Sequence, residues 1–296
     1  MFKGSLVALV TPFDQHGHID YDALSGLIEF HVAEGTDGLV IAGTTGEAAT
    51  LSRDEHVELL TRSVELVAGR LPVIAGTGSN STAQTTDLSR AVGDAGIDAY
   101  LLVVPYYNKP VQEGMYQHFT AVADAVEKPV ILYNVPGRTV ADMQPETVAR
   151  LAEHPNIVGI KEATGDIDRL RAIVKLVDSK FMLYSGDDFT VLPFIEAGGH
   201  GVVTVSGNVV PAAMARLCAL ASAGELEQAR QLDESLQPLN SALFIESNPI
   251  PVKWALAQMG LIKATMRLPL TEHADQYHEG MRAALARAGV VLENAA

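Results

Sequence analysis

The sequence predicts an α/β fold, a (β/α)8 TIM barrel with a C-terminal helical extension, and three observations carry that expectation. Short Val/Ile/Leu-rich runs alternate with longer amphipathic segments, the pattern of a parallel sheet covered by helices. Eight such units fill roughly the first 220 residues, close to the size of a barrel. A doubly wound sheet, the competing fold, would carry Gly-x-Gly-x-x-Gly after its first strand, and that motif is absent. After residue 222 the strand-like runs stop and only helical periodicity continues.

The expected strands are "LVALV" (6–10), "GLVIA" (38–42), "PVIAG" (72–76), "AYLLVV" (99–104), "PVILYNV" (129–135), "IVGIKEA" (157–163), "FMLYSG" (181–186) and "GVVTV" (201–205). The first helical segment spans 20–34, where Leu24, Leu27, Ile28 and Val32 fall on one face. The others are 52–69, 81–95, 113–125, 144–152, 166–178, 188–197 and 208–222. Beyond them "ELEQARQLDESLQPLNSALF", "PIPVKWALAQMGLI" and "ADQYHEGMRAALARAGVVL" read as helices whose ends are set by the prolines of "SNPIP" and "RLPL". The expected division is a catalytic barrel over 1–223 and a helical domain over 224–296.

Composition limits the function. A hydrophobic share of 48% supports a sizeable core, and a net charge of -15 repels a polyanion such as nucleic acid. Any anionic substrate must therefore meet a local exception to the global field. The one cysteine, Cys218, excludes an intramolecular disulfide framework. The N-terminal apolar run is too short for a secretory signal, and no stretch approaches a membrane span, so a soluble, cytoplasmic protein without a membrane partner is expected.

In a barrel the active site lies at the C-terminal ends of the strands. There, "IVGIKEA" places Ile157, Gly159 and Lys161 on one face, and Lys161 points inward if Val158 and Ile160 face the helices. Gly159 is expected to leave room beneath it. Such a lysine either snorkels out or pairs with a carboxylate, or, desolvated, serves as an amine that forms Schiff bases with carbonyl substrates. Tyr133, at the end of the preceding strand, can relay a proton to that amine, and Arg138 in "YNVPGRT" offers a fork for a carboxylate. Taken singly, the two are as readily a core aromatic and a surface charge. "GTTGE" (43–47) forms a turn whose N–H groups can hold a small anion, with "GTGSN" (76–80) a weaker version. Tyr106 and Tyr107 in "VVPYYNKP" suit a binding site or a subunit interface. Asp187 and Asp188 of "SGDD" are expected to cap a helix. No His-Glu-x-x-His and no Gly-x-Ser-x-Gly is present, which points away from a catalytic zinc and a hydrolase elbow.

In order and spacing, "GTTGE", "PYYNKP", "YNVPGRT", "GIKEATG", "SGDD", "GGHGVVTVSGN" and "NPIPVKW" resemble the dihydrodipicolinate synthase family of pyruvate-dependent class I aldolases, whose superfamily also contains N-acetylneuraminate lyase. The resemblance runs from Gly4 to about Ile262. It implies that Lys161 captures pyruvate and that Tyr133, Thr44 and Tyr107 relay protons, Tyr107 in the neighbouring subunit's site. It implies further that Thr44 and Thr45 hold the pyruvate carboxylate, that Arg138 meets the carboxylate of L-aspartate 4-semialdehyde, and that Gly186 and Val203 line the pocket. No cofactor and no metal are implied, and a homo-oligomer, commonly a dimer of dimers, is. An arginine directly after "YNVPG" suits a small second carboxylate better than a sialic acid. With every chemical position filled, a catalytically silent binding protein is disfavoured. Many members are inhibited by L-lysine near Ala49, His56, Asn80, Gln84 and Tyr106. The sensitive pattern has a glutamate where this chain has Gln84, so weak or absent inhibition is expected.

Overall fold

The computed structural model describes residues 2–292. Eight strands, β1 (Gly4–Ala8), β2 (Gly38–Ile41), β3 (Val73–Gly76), β4 (Ala99–Val103), β5 (Val130–Asn134), β6 (Ile157–Glu162), β7 (Met182–Ser185) and β8 (Gly201–Thr204), close into a parallel barrel in sequence order. The helices are α1 (Tyr21–Ala33), α2 (Arg53–Val67), α3 (Thr82–Ala91), α4 (Gln112–Ala123), α5 (Pro136–Thr139), α6 (Pro145–Ala152), α7 (Ile167–Val174), α8 (Val191–Glu196), α9 (Pro211–Ala223), α10 (Leu226–Leu243), α11 (Ile250–Gln258) and α12 (His278–Arg287). The (β/α)8 architecture with C-terminal helices is thus the one the alternating pattern predicts. Local chemistry starts the helices where the sequence asks. Asp20 accepts the Ala23 N–H at the start of α1, and Ser52 and Glu55 form a reciprocal capping box on α2.

Alternation along the strands divides the apolar residues into two layers. Leu6, Val40, Ile74, Leu101, Ile131, Tyr184 and Val203 fill the barrel, while Val7, Leu39, Ile41, Leu102, Leu132 and Val202 pack outward against the helices. Strand β6 departs from strict alternation. Val130 pairs with Ile157 but Ile131 pairs with Gly159, so one extra residue is accommodated at Val158. Ile157 therefore turns outward with Ile160, and Val158 packs inward, the reverse of the expectation for both. From Gly159 onward the expected phase holds. Gly159 does not make room for the lysine: a Cβ there would lie 2.5 Å from the Met182 carbonyl oxygen of β7.

The aspartate pair also departs from its expected role. Helix α8 begins after Thr190 with no side-chain cap. Asp188 is buried, and its Oδ2 accepts the N–H groups of Val205 (2.8 Å) and Ser206 (3.1 Å) at the exit of β8. Through Oδ2 this carboxylate meets two backbone donors that the barrel end leaves free, and burial pushes its pKa up against them. Asp187 closes a local turn, accepting Thr190 Oγ1–H at 2.9 Å. Past Gly224, α10 packs on α8, α9 and α12, and Asn240 donates to the Asp188 carbonyl at 3.0 Å. Among the described residues no helix is long and apolar enough to cross a membrane.

Two histidines sit in the helical layer as neutral groups. Burial pushes His31 and His118 from 6.5 down to about 4, each hydrogen-bonded only to a threonine hydroxyl. Below pH 6.5 the unfolded chain takes up protons that the fold refuses. Their stabilisation is therefore complete above 6.5 and is lost as the pH falls toward 4. The thermal midpoint is expected to drop across that window, and His31→Gln with His118→Gln to flatten the drop, as followed by circular dichroism. An unchanged slope would assign the acid sensitivity to other groups.

Candidate functional site

Lys161 projects from β6 into the C-terminal mouth of the barrel. Its register neighbour on β5 is Tyr133, and Nζ lies 4.2 Å from the centre of that ring. Both residues are 6% exposed. Among the described residues no carboxylate forms an ion pair with Lys161. The room for its stem comes from β7: a Cβ on Gly186 would stand 2.9 Å from Lys161 Cε and 2.5 Å from Ala163 Cβ. Val203 of β8 belongs to the same interior cluster as Tyr133.

The "GTTGE" segment leaves β2 as a tight turn. Glu47 N–H donates to the Thr44 carbonyl at 3.0 Å and Ala48 N–H to the Gly43 carbonyl at 3.3 Å. The N–H groups of Thr44 and Thr45 find no acceptor among the described residues, the condition for holding an anion. Thr44 lines a cavity of about 930 Å³ together with Tyr133 and Arg138. Thr45 is buried behind it, its Oγ1 accepting from Asn248 Nδ2 at 2.9 Å. Arg138, on α5, donates to the Asn248 carbonyl at 3.3 Å.

The same cavity runs on past Ala49, His56, Gln84 and Tyr106, so these candidates share one crevice with the barrel mouth. His56 Nε2 lies 2.8 Å from the Gly76 carbonyl, which makes Nε2 the donor, and burial lowers its pKa. Asn80 is not part of the wall; its carbonyl accepts from Asn108 Nδ2 at 2.8 Å. Nor is Tyr107, which is 86% exposed in a left-handed backbone conformation, φ 72°. "GTGSN" contributes Gly76, Thr77, Gly78 and Ser79 to the wall. Gly78 is dictated by packing, since a Cβ there would meet Val103 N at 2.4 Å.

Charge is arranged against the global field. The two carboxylates in the wall are both paired, Asp87 with Arg53 and Glu47 with Lys253. Arg138 has no carboxylate partner among the described residues. The crevice therefore presents, among the described residues, a guanidinium without a carboxylate partner and, at Thr44, a backbone N–H without an acceptor, within a chain of net charge -15.

The Glu47–Lys253 pair was not legible as a site feature. Both side chains are fully buried, with Nζ 2.6 Å from Oε1 and 4.2 Å from the centre of the Phe13 ring. Burial lowers the Lys253 pKa, opposed by Glu47. Arg267 completes the knot. Its N–H donates to Glu47 Oε2 at 3.3 Å, and its guanidinium grips Glu55, the capping residue of α2, whose carboxyl it holds down at about 2. The one sequence signal was a lysine inside the otherwise apolar helix "IPVKWALA".

A closed (β/α)8 barrel with a buried lysine at its C-terminal mouth suits a barrel lyase, the class that the family match and the curated relatives give this chain. The chain belongs to the dihydrodipicolinate synthetase family, whose model matches residues 1–288. It is 55% identical over 291 residues to the 4-hydroxy-tetrahydrodipicolinate synthase of Pseudomonas aeruginosa, covering 98% of this chain and 100% of that protein. Among solved structures, the chloride-inhibited dihydrodipicolinate synthase of Acinetobacter baumannii complexed with pyruvate matches with a TM-score of 0.97 at 50% identity, over 98% of this chain and 100% of that one. The enzyme of Cyanidioschyzon merolae with lysine bound matches at 0.95 and 40% identity, over 98% and 99%.

A buried ion pair is costly to break one side at a time and cheap to remove whole. Lys253→Met alone is expected to lose about 3–5 kcal/mol in urea unfolding. Glu47→Gln with Lys253→Met is expected to recover most of that loss. Additive losses would show that the charges do not depend on each other.

Proposed function

We propose that this protein is a 4-hydroxy-tetrahydrodipicolinate synthase that condenses pyruvate with L-aspartate 4-semialdehyde through a Schiff base on Lys161. The observation that carries the reading is a buried lysine with no carboxylate partner among the described residues, set against a tyrosine at a barrel mouth. The amine of Lys161 adds to the keto carbon of pyruvate, and loss of water gives the protonated imine. The imine withdraws electrons, a methyl proton leaves, and the enamine carbon attacks the aldehyde of the second substrate. The amine of the adduct then attacks the imine carbon, closes the ring and releases Lys161.

Each wall supports one part of this sequence. The free N–H groups of Thr44 and Thr45 suit the pyruvate carboxylate, and the free Arg138 suits the carboxylate of the semialdehyde. Tyr133 is within reach to carry protons to and from the amine, with Thr44 and Tyr107 as partners in the relay. Exposed in the single chain, Tyr107 is free to serve the site of a neighbouring copy, a reading that needs a homo-oligomer of at least two chains, for which the family resemblance suggests a dimer of dimers. Gly186 and Val203 shape the floor. The protein works in the cytoplasm without a cofactor. A sialic acid would need hydroxyl recognition where Arg138 stands, which sets the lyase reading behind.

Borohydride reduction in the presence of pyruvate, followed by peptide mapping, tests the assignment. A mass increase on Lys161 is expected, lost in Lys161→Arg together with turnover. An adduct on another lysine, or none, would overturn it.

L-lysine is the candidate inhibitor of the outer crevice, where Ala49, His56, Gln84 and Tyr106 gather, with Asn80 nearby in sequence. Gln84 lacks the charge that an ammonium group would seek, an interaction worth about 1.5–3 kcal/mol. Inhibition is therefore weak here, and Gln84→Glu is expected to strengthen it by at least about tenfold. An equally weak response in the variant would remove Gln84 from the explanation.

A further inference from the structure

We infer that the segment "NPIPVK" of the helical extension is a positioning element of the active site, and that Asn248 sets the hydroxyl of Thr45 for the keto-acid carboxylate. The inference rests on the reading of the "GTTGE" turn as the carboxylate site.

Three contacts bring this segment to the barrel mouth. Asn248, 7% exposed, donates its Nδ2–H to Thr45 Oγ1 at 2.9 Å. Its backbone carbonyl accepts from Arg138 Nη2 at 3.3 Å. Lys253, five residues on, grips Glu47 at 2.6 Å. One stretch of chain thus holds two positions of the β2 turn and the arginine that follows β5. None of these partners is near it in sequence, the closest being 110 residues away.

The chemistry of the first contact gives it direction. A threonine hydroxyl has one proton to donate and two lone pairs to receive. With Asn248 occupying a lone pair, the Thr45 proton cannot point at Asn248 and is left for an acceptor elsewhere. The free N–H groups of Thr44 and Thr45 mark where an anionic acceptor would sit. Accepting one hydrogen bond also strengthens the bond the hydroxyl donates. Asn248 thereby acts through Thr45, as a positioning residue. A second observation points the same way: Asn248 Oδ1 is buried and has no donor among the described residues. That oxygen lies beside the proposed carboxylate site without compensating for its burial within the fold.

The contact to Arg138 uses the backbone carbonyl, so changing the side chain separates the two substrates. Asn248→Ala is expected to raise the KM for pyruvate about three- to tenfold, the worth of one neutral hydrogen bond, and to leave the KM for the semialdehyde unchanged. Asn248→Asp keeps the shape but reverses the bond. The carboxylate takes the Thr45 proton and faces the incoming anion, and the pyruvate KM is expected to rise by about a hundredfold. In a Thr45→Val background, Asn248→Ala is expected to add nothing further to the pyruvate KM. A merely structural asparagine would lower the thermal midpoint, raise both KM values together and act additively with Thr45→Val. That result, or a folded Asn248→Asp variant with the wild-type pyruvate KM, would overturn the inference. Absence of a pyruvate adduct on Lys161 in the wild-type protein would instead overturn the functional reading beneath it.

Discussion

Closure of the sheet between β1 and β8 is the constraint on which the rest depends. It removes the free edges that a sheet would otherwise expose and turns eight separate strand ends into one ring. The seam is made by two glycines that face each other in register, Gly4 and Gly201. A Cβ on Gly201 would stand 2.1 Å from the Gly4 carbonyl oxygen, so no other residue admits this closeness. Once the ring closes, Lys161, Tyr133, Gly186 and Val203, from four consecutive strands, meet in a volume that none of them could define alone.

A ring of strands supplies a floor and not a wall. The wall comes from the turns and from the extension, and the two are joined by charge. Glu47 and Lys253 are desolvated completely, an arrangement tolerable only because each satisfies the other and the remaining carboxylate oxygen meets the Arg267 N–H. An apolar contact would have bound the extension as firmly, yet it would slide. A hydrogen-bonded ion pair fixes the "GTTGE" turn to one register against α11. The extension is thus mechanically part of the mouth, although none of its described residues forms a strand.

What could be read from the sequence was what repeats. Alternating apolar runs gave the strands, and a strand end carrying Lys161 stood out because a cation interrupts an apolar pattern. The errors came where a local rule met a tertiary demand. Ile157 was assigned to the wrong face because the extra residue at Val158 is set by pairing with β5, which a period of two does not reveal. Gly159 was expected to make room for Lys161, but Gly186 does so, because which glycine lies beside the lysine depends on the neighbouring strand. Asp188 looked like a cap because a carboxylate before a helix usually is one, while the barrel end supplied better donors from β8. Asn248 and Lys253 were quoted in a motif without a role, since their partners lie 203 and 206 residues away.

The two buried lysines make the physical logic of the site explicit. Each lies with Nζ 4.2 Å from the centre of an aromatic ring, Lys161 over Tyr133 and Lys253 over Phe13. Burial and an aromatic face therefore do not separate the proposed nucleophile from a structural lysine. The partner does. Glu47 at 2.6 Å stabilises the charged form of Lys253 and occupies the nitrogen as a donor. Phe13 offers no proton and no acceptor lone pair. Among the described residues Lys161 has no carboxylate partner, and its ring carries a phenol that can both give and take a proton. A nucleophilic amine needs a route for the proton it sheds, and of the two lysines only Lys161 stands against a group that offers one.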